Sequence, residues 1–202
     1  MKHVAMVILT AAAIAFVLPS EAAIYTANLN GGNENPATPS AGTGSTTVAL
    51  DTTTHTLQVI VSFSGLTSGT TASHIHCCVA PNGNAGVATT TPTFTGFPLG
   101  VTSGSYNQTF NTLAASTWNP AFITANGGTP ASAEAVLAAG LVAGQAYLNI
   151  HTTNFPGGEI RGFLLALSTA SSVVPTLSQW AMGLLAAVLV LAGAFVMRKR
   201  SA

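Results

Sequence analysis

The sequence predicts an all-β, antiparallel sandwich, and three observations carry that prediction. Apolar and polar residues alternate with period two in several short runs. Clusters of Gly, Pro, Asn, Ser and Thr separate the runs. Only 5% of the residues are charged, so hydroxyls and amides rather than ionised groups supply the polar surface. Such a surface suits an exported β-protein, and the regular alternation argues against disorder.

The first strands are expected at residues 24–29 and 44–51. In Leu57-Gln58-Val59-Ile60-Val61-Ser62-Phe63 the positions Leu57, Val59, Val61 and Phe63 form one apolar face, and Gly65 ends the strand. Further strands are expected at 72–79, 105–110, 145–152 and 159–167. Residues 81–104 are rich in Gly, Pro and Thr and read as a long irregular loop, of the kind that commonly serves a site. One short crossover helix is expected: Thr129 caps it, Pro130 fits its first turn, residues 131–139 favour helix and Gly140 ends it.

Both ends of the chain carry membrane-directed segments. Lys2 precedes an uncharged run, residues 4–18, that is too short to span a bilayer comfortably, and Ser20 and Ala22 supply the small residues of a cleavage site. Residues 1–22 therefore read as a signal peptide cut after Ala22, with Ala23 as the next best position. At the other end, Trp180 opens an apolar run that reaches Met197 and is followed by Arg198, Lys199 and Arg200. As a helix this run rises about 26 Å, enough for a hydrocarbon core, and the basic cluster stays cytoplasmic. Residues 180–197 are thus expected to hold the chain to the inner membrane, with the domain at 23–167 and a polar linker at 168–173 outside the cytoplasm.

About 150 residues between the two ends suit one domain with a sizeable core. Residues 23–173 hold Glu34, Asp51, Glu134 and Glu159 against Arg161 alone, a formal charge of −3. Nothing basic is present to displace counterions from phosphates, which argues against a nucleic-acid partner. No Ser-His-Asp order, phosphate-binding glycine loop or pair of catalytic carboxylates stands out.

The chemistry-bearing residues are His74, His76 and His151. In Ala72-Ser73-His74-Ile75-His76-Cys77-Cys78-Val79, strand alternation sends Ile75, Cys77 and Val79 one way and His74, His76 and Cys78 the other. In Tyr147-Leu148-Asn149-Ile150-His151, Leu148 and Ile150 have the apolar parity, so His151 also lies on the polar side. Three imidazoles converging there would suit copper or zinc with one position open, and Cys78 is a candidate fourth ligand. The competing reading is three hydrogen-bonded surface histidines. Glu34, in a Gly/Asn/Pro loop, is either a further ligand or a turn acceptor, while His55 follows a turn-like stretch and is expected in solvent, outside the site.

Cys77 and Cys78 are the only cysteines, and in an oxidising compartment a vicinal disulfide competes with a split in which Cys77 is buried and Cys78 faces the metal. The bridge requires the strand to end or bulge near Cys77, because neighbours on a regular strand point apart. Further on, Asn154-Phe155-Pro156-Gly157-Gly158 turns the chain into a hairpin. Glu159 and Arg161 then share one face beside the histidines, either as a structural ion pair or with Arg161 orienting an anion.

Three resemblances extend this reading. Pro175-Thr176-Leu177, Trp180, the apolar run and Arg198-Lys199-Arg200 resemble the IPTL-CTERM sorting signals of Gram-negative bacteria, with Val174 where Ile is usual and Ala181 where Gly is common. That resemblance implies processing by a sortase-like, exosortase-type protease and a route to the cell surface; a plain single-span anchor is the alternative. The stretch from Tyr25 to Leu167 resembles the CHRD domain, through Leu29-Asn30-Gly31-Gly32-Asn33-Glu34-Asn35-Pro36, Ser73-His74-Ile75-His76, and Tyr147-Leu148-Asn149-Ile150-His151-Thr152 followed by Phe155-Pro156-Gly157-Gly158-Glu159-Ile160-Arg161-Gly162. It implies an immunoglobulin-like all-β module. The His-x-His strand with a later strand histidine resembles the copper half of copper/zinc superoxide dismutases, although residues 81–104 contain no counterpart of the zinc ligands. Together they imply an exported binding module of the cell envelope with a copper or zinc site and a polymer or protein partner, rather than an enzyme. The alternative they leave is a mononuclear copper redox enzyme.

Overall fold

Among the described residues period-two alternation becomes eight strands: β1 (Ala23–Asn30), β2 (Thr43–Asp51), β3 (Thr56–Ser64), β4 (Thr70–Cys77), β5 (Gly104–Asn111), β6 (Ala146–Thr152), β7 (Ile160–Phe163) and β8 (Leu165–Ala166). They pair antiparallel along one path, β4-β6-β7-β1-β2-β3-β5, with β8 beside β1. This computed structural model describes residues 22–167 and Arg198. The rest of the expected signal peptide, linker and sorting tail, including Pro175, Thr176, Leu177, Trp180, Lys199 and Arg200, lies outside the described residues. Among the described residues no helix is long and apolar enough to cross a membrane.

The sheet is curled, because strands from both ends of the path bury side chains in one core. Leu29, Val48, Leu57, Val59 and Phe63 enter it from β1 to β3, and Ile75, Leu148, Ile150 and Ile160 from β4, β6 and β7. Each such side chain contributes about 2 kcal/mol by leaving water. The irregular segment between β4 and β5 spans the gap between the two edge strands. Phe94 and Phe97 enter the core from it, Gly100 N donates to Thr70 O at 2.8 Å, and the Tyr106 hydroxyl donates to Thr95 O at 2.9 Å.

The outer face of β1, β2, β3 and β5 is built in register as cross-strand rows. One runs Thr26–Thr47–Ile60–Asn107, the next Asn28–Ser45–Ser62–Ser105, and a third Ile24–Ala49–Gln58–Thr109. None of these rows contains a charge.

Two helices, not one, lie among the described residues. The expected one is α2 (Pro130–Val142), with Thr129 Oγ1 accepting from Ser132 N and the Ser132 hydroxyl accepting from Thr129 N. It runs past Gly140, which is not its end: a Cβ there would collide with both cysteine sulfurs, so Gly140 is a packing residue. The chain leaves the helix at Gly144, at φ +64°. The additional helix is α1 (Pro120–Ala125), started by the Asn119 side chain accepting from Ala121 N at 3.0 Å and by Pro120 in its first turn.

Candidate metal centre

β4 and β6 lie side by side in antiparallel register, His74 opposite Asn149, His76 opposite Tyr147 and Ala72 opposite His151. Residues paired this way project to the same face, so His74, His76 and His151 leave the sheet together on the side away from the core. One nitrogen from each ring falls within 4.8 Å of the others. The rings are 6–9% exposed, covered by the segment after β4 and by the β6–β7 turn.

Each imidazole has one nitrogen committed to a backbone carbonyl. His74 Nε2 lies 2.7 Å from Pro92 O, His76 Nδ1 2.9 Å from Ala85 O, and His151 Nδ1 2.9 Å from Pro156 O. A carbonyl only accepts, so each of these nitrogens carries the proton, and each remaining nitrogen presents a lone pair. The remaining His74 Nδ1 and His151 Nε2 face each other at 3.4 Å, and His76 Nε2 is buried without a partner among the described residues. Two facing lone pairs repel, whereas two nitrogens about 2.0 Å from one ion stand about 3.3 Å apart in tetrahedral geometry. Outer-shell carbonyls that fix the tautomer are the usual support of a histidine–metal site, so the residues fit copper or zinc.

Burial reinforces neutrality. His74 and His76 are each pushed down to about 4 mainly by desolvation, with charge repulsion among the rings in the same direction and the Pro92 and Ala85 carbonyls opposing it. His151 is lowered by the same cause, against the Pro156 carbonyl. All three are therefore unprotonated at neutral pH and competent as ligands. Their folded-state values lie below the unfolded value near 6.5, so the unfolded chain takes up protons first as pH falls. The metal-free protein is expected to keep its stability above pH about 6.5 and to lose on the order of a few kcal/mol down to pH about 4. Thermal unfolding across that range checks this, and a His74→Leu/His76→Leu variant is expected to show a flatter profile.

Tyr147 braces His76. The two rings stack with centroids 4.8 Å apart and planes 5° from parallel, and the Tyr147 hydroxyl accepts from Ala85 N at 3.1 Å, on the residue whose carbonyl holds His76. The Arg161 guanidinium lies over the Tyr147 ring at 4.7 Å.

The remaining candidates fall elsewhere. Cys78 is not part of the histidine cluster: β4 ends at Cys77, and Cys77 and Cys78 form a disulfide packed against Gly140 of α2. Glu159 and Arg161 are not an ion pair. Glu159 precedes the β6–β7 ladder and is fully buried among hydroxyls. Burial alone would raise it, yet hydrogen bonds from Ser40, Thr152 and Thr67 outweigh that and hold it below the ordinary carboxylate value. Arg161 sits opposite Asn149 in the ladder, 1% exposed. Its Nη1 donates to Gly83 O at 3.1 Å and Asn84 Oδ1 at 2.8 Å, its Nε donates to Asn33 O at 2.5 Å, and Nε lies 3.8 Å from Glu34 Oε2. Glu34 is thus Arg161's neighbour rather than a member of the histidine cluster, and burial pushes it up to about 7 against the pull of Arg161. His55, expected in solvent, is half-buried with Nδ1 3.1 Å from both oxygens of buried Glu134 on α2.

Residues 25–164 match the family model of the CHRD domain, and residues 174–200 match that of the IPTL-CTERM motif. No curated protein and no solved structure matches the chain. A match over most of the chain settles the family: this protein belongs to the CHRD domain family and carries an IPTL-CTERM motif at its C-terminal end.

Proposed function

We propose that this chain is an exported, surface-sorted binding module that holds one copper or zinc ion on His74, His76 and His151. The observation that carries the metal reading is the set of three carbonyls, Ala85, Pro92 and Pro156, that leave one lone pair per ring in a common space. Bound there, the ion would supply Lewis acidity or a redox centre, while the chain's own part is to present three neutral rings and exclude water around them. The sorting motif supports export, tethering by an apolar tail at 180–197 and processing by an exosortase-type protease, after removal of residues 1–22 and with 168–173 as linker. The curled sheet supports a sandwich reading in which the β4-β6-β7 half and the β2-β3-β5 half face each other across the core.

The exported protein, purified from the envelope in mild detergent, is expected to carry about one copper or zinc ion per chain. A His74→Ala/His76→Ala variant is expected to carry less than about a tenth of that. Equal metal content by elemental analysis would overturn the site. The gathering of three imidazoles and no further ligand group among the described residues favours a second reading, a mononuclear copper redox enzyme. Superoxide dismutation by the copper-loaded protein that vanishes in the same variant would select that reading, and its absence would leave the binding module.

A further inference from the structure

Among residues 22–167 the charged side chains are Glu34, Asp51, Glu134, Glu159 and Arg161, and all but Asp51 are buried. Soluble domains ordinarily carry a quarter to a third charged residues on the surface, so this outer face is unusual in offering nearly nothing to an ion. Phosphate, sulfate, carboxylate or anionic lipid would have no Lys or Arg to meet, and a basic partner no array of carboxylates.

The outer rows instead end in a groove of about 520 Å³ where β1 and β2 run beside Phe163 and Leu165. Its lining includes Thr26, Asn28 and Thr47, whose side chains make no hydrogen bonds among the described residues, together with Asn33 and Asn82. Leu165 is 59% exposed and sits opposite Thr26 in the ladder, so an apolar wall rises beside a row of free hydroxyl and amide groups. We propose that this groove and the uncharged rows running from it bind a neutral polysaccharide. Sugar hydroxyls both donate and accept, as do the amides and threonines that line the groove, and the C–H faces of a pyranose suit Phe163 and Leu165 beside them. An uncharged face meets an uncharged polymer without stranding an ion, which is the charge complementarity the surface offers.

Affinity electrophoresis of the full chain in mild detergent, through gels containing dextran, galactomannan or hydroxyethylcellulose and through alginate as a polyanion, tests the proposal. Retardation is expected in at least one neutral gel and none in alginate, and it is expected to persist when NaCl rises from about 0.05 to about 0.5 M, since no charge is there to be screened. Asn28→Asp/Thr47→Glu places two charges on exposed and half-exposed outer positions and is expected to weaken the retardation at least about tenfold with unchanged melting temperature. The metal content of that variant is expected to equal wild type, which separates this surface from the histidine site. Equal mobility in every gel, stronger retention in alginate, or undiminished retention of the variant would overturn the proposal. So would a variant that changes only the oligomeric state, because the face would then belong to a second copy of the chain.

Discussion

Copper or zinc is expected to raise the free energy of unfolding by about 4 kcal/mol when the free ion stands about 1,000-fold above its dissociation constant, and His76→Leu is expected to erase that gain while leaving the metal-free protein about as stable as before. The second half of the expectation distinguishes a ligand from a structural histidine. Among the described residues His76 Nε2 is buried with no partner, and leaving such a group unpaired costs about 1–3 kcal/mol. Leucine removes that cost. It also forfeits the hydrogen bond to Ala85, worth about 1 kcal/mol, and the stacking on Tyr147, worth about 0.5–1.5 kcal/mol, so the terms nearly cancel. A histidine present only for packing and hydrogen bonding would behave oppositely: its replacement would destabilise the metal-free protein, and metal would change neither form. Urea unfolding of wild type and variant, with and without metal, reads all four states. An equal metal-induced gain in both proteins would sink the assignment.

The histidine face was legible because alternation is a local property. Ile75 and Leu148 mark which parity is buried, and His74, His76 and His151 follow from it. The pairing of β4 with β6 was not legible, since β5 and both helices intervene in sequence and only the folded register sets Ala72 opposite His151. The carbonyls of Ala85, Pro92 and Pro156 leave no trace in the sequence at all, because any residue supplies a carbonyl and only the loop's path aims it.

The departures have equally local causes. Parity placed Cys78 with the histidines, but parity holds only while the strand continues, and β4 stops at Cys77. Parity likewise grouped Glu159 with Arg161, yet the ladder begins at Ile160, so only Arg161 joins the outer face. The helix α1 spans six residues, too few for a 3.6-residue pattern to register; the Asn119-Pro120 cap was its one visible mark. Gly140 resembled a helix terminator because glycine's lack of a side chain serves close packing as well as turning, and sequence does not distinguish the two. His55 has no local sign of burial in the sequence because its partner, Glu134, lies 79 positions away.

Glu159→Ala is expected to destabilise the protein by about 4 kcal/mol. The carboxylate is fully buried and accepts from Ser40 Oγ at 2.6 Å, Thr67 N at 2.7 Å, Thr67 Oγ1 at 3.1 Å and Thr152 Oγ1 at 2.6 Å. It thereby ties the segment before β2, the turn before β4 and the end of β6 to the start of β7. Alanine strands the fully buried Thr152 hydroxyl against a cavity, at a cost of about 1–3 kcal/mol, while half-buried Ser40 and exposed Thr67 regain water; the forfeited hydrogen bonds to a charged group, worth about 1.5–3 kcal/mol, supply the rest. Glu159→Gln retains the volume but turns an NH2 toward donors, so most of the loss is expected to remain. Acid titration separates this role from an ion pair. Because the folded-state value of Glu159 lies below its ordinary 4.5, its contribution is present above that pH and is lost as pH falls through the lowered value. Wild type is expected to lose it in acid while Glu159→Gln shows no such step, and a double-mutant cycle with Thr152→Val is expected to be non-additive by about 1 kcal/mol or more. Additive behaviour with Thr152, or an unfolding free energy of Glu159→Ala within about 1 kcal/mol of wild type, would mean that the hydroxyls find other partners and that the carboxylate does not hold these segments together.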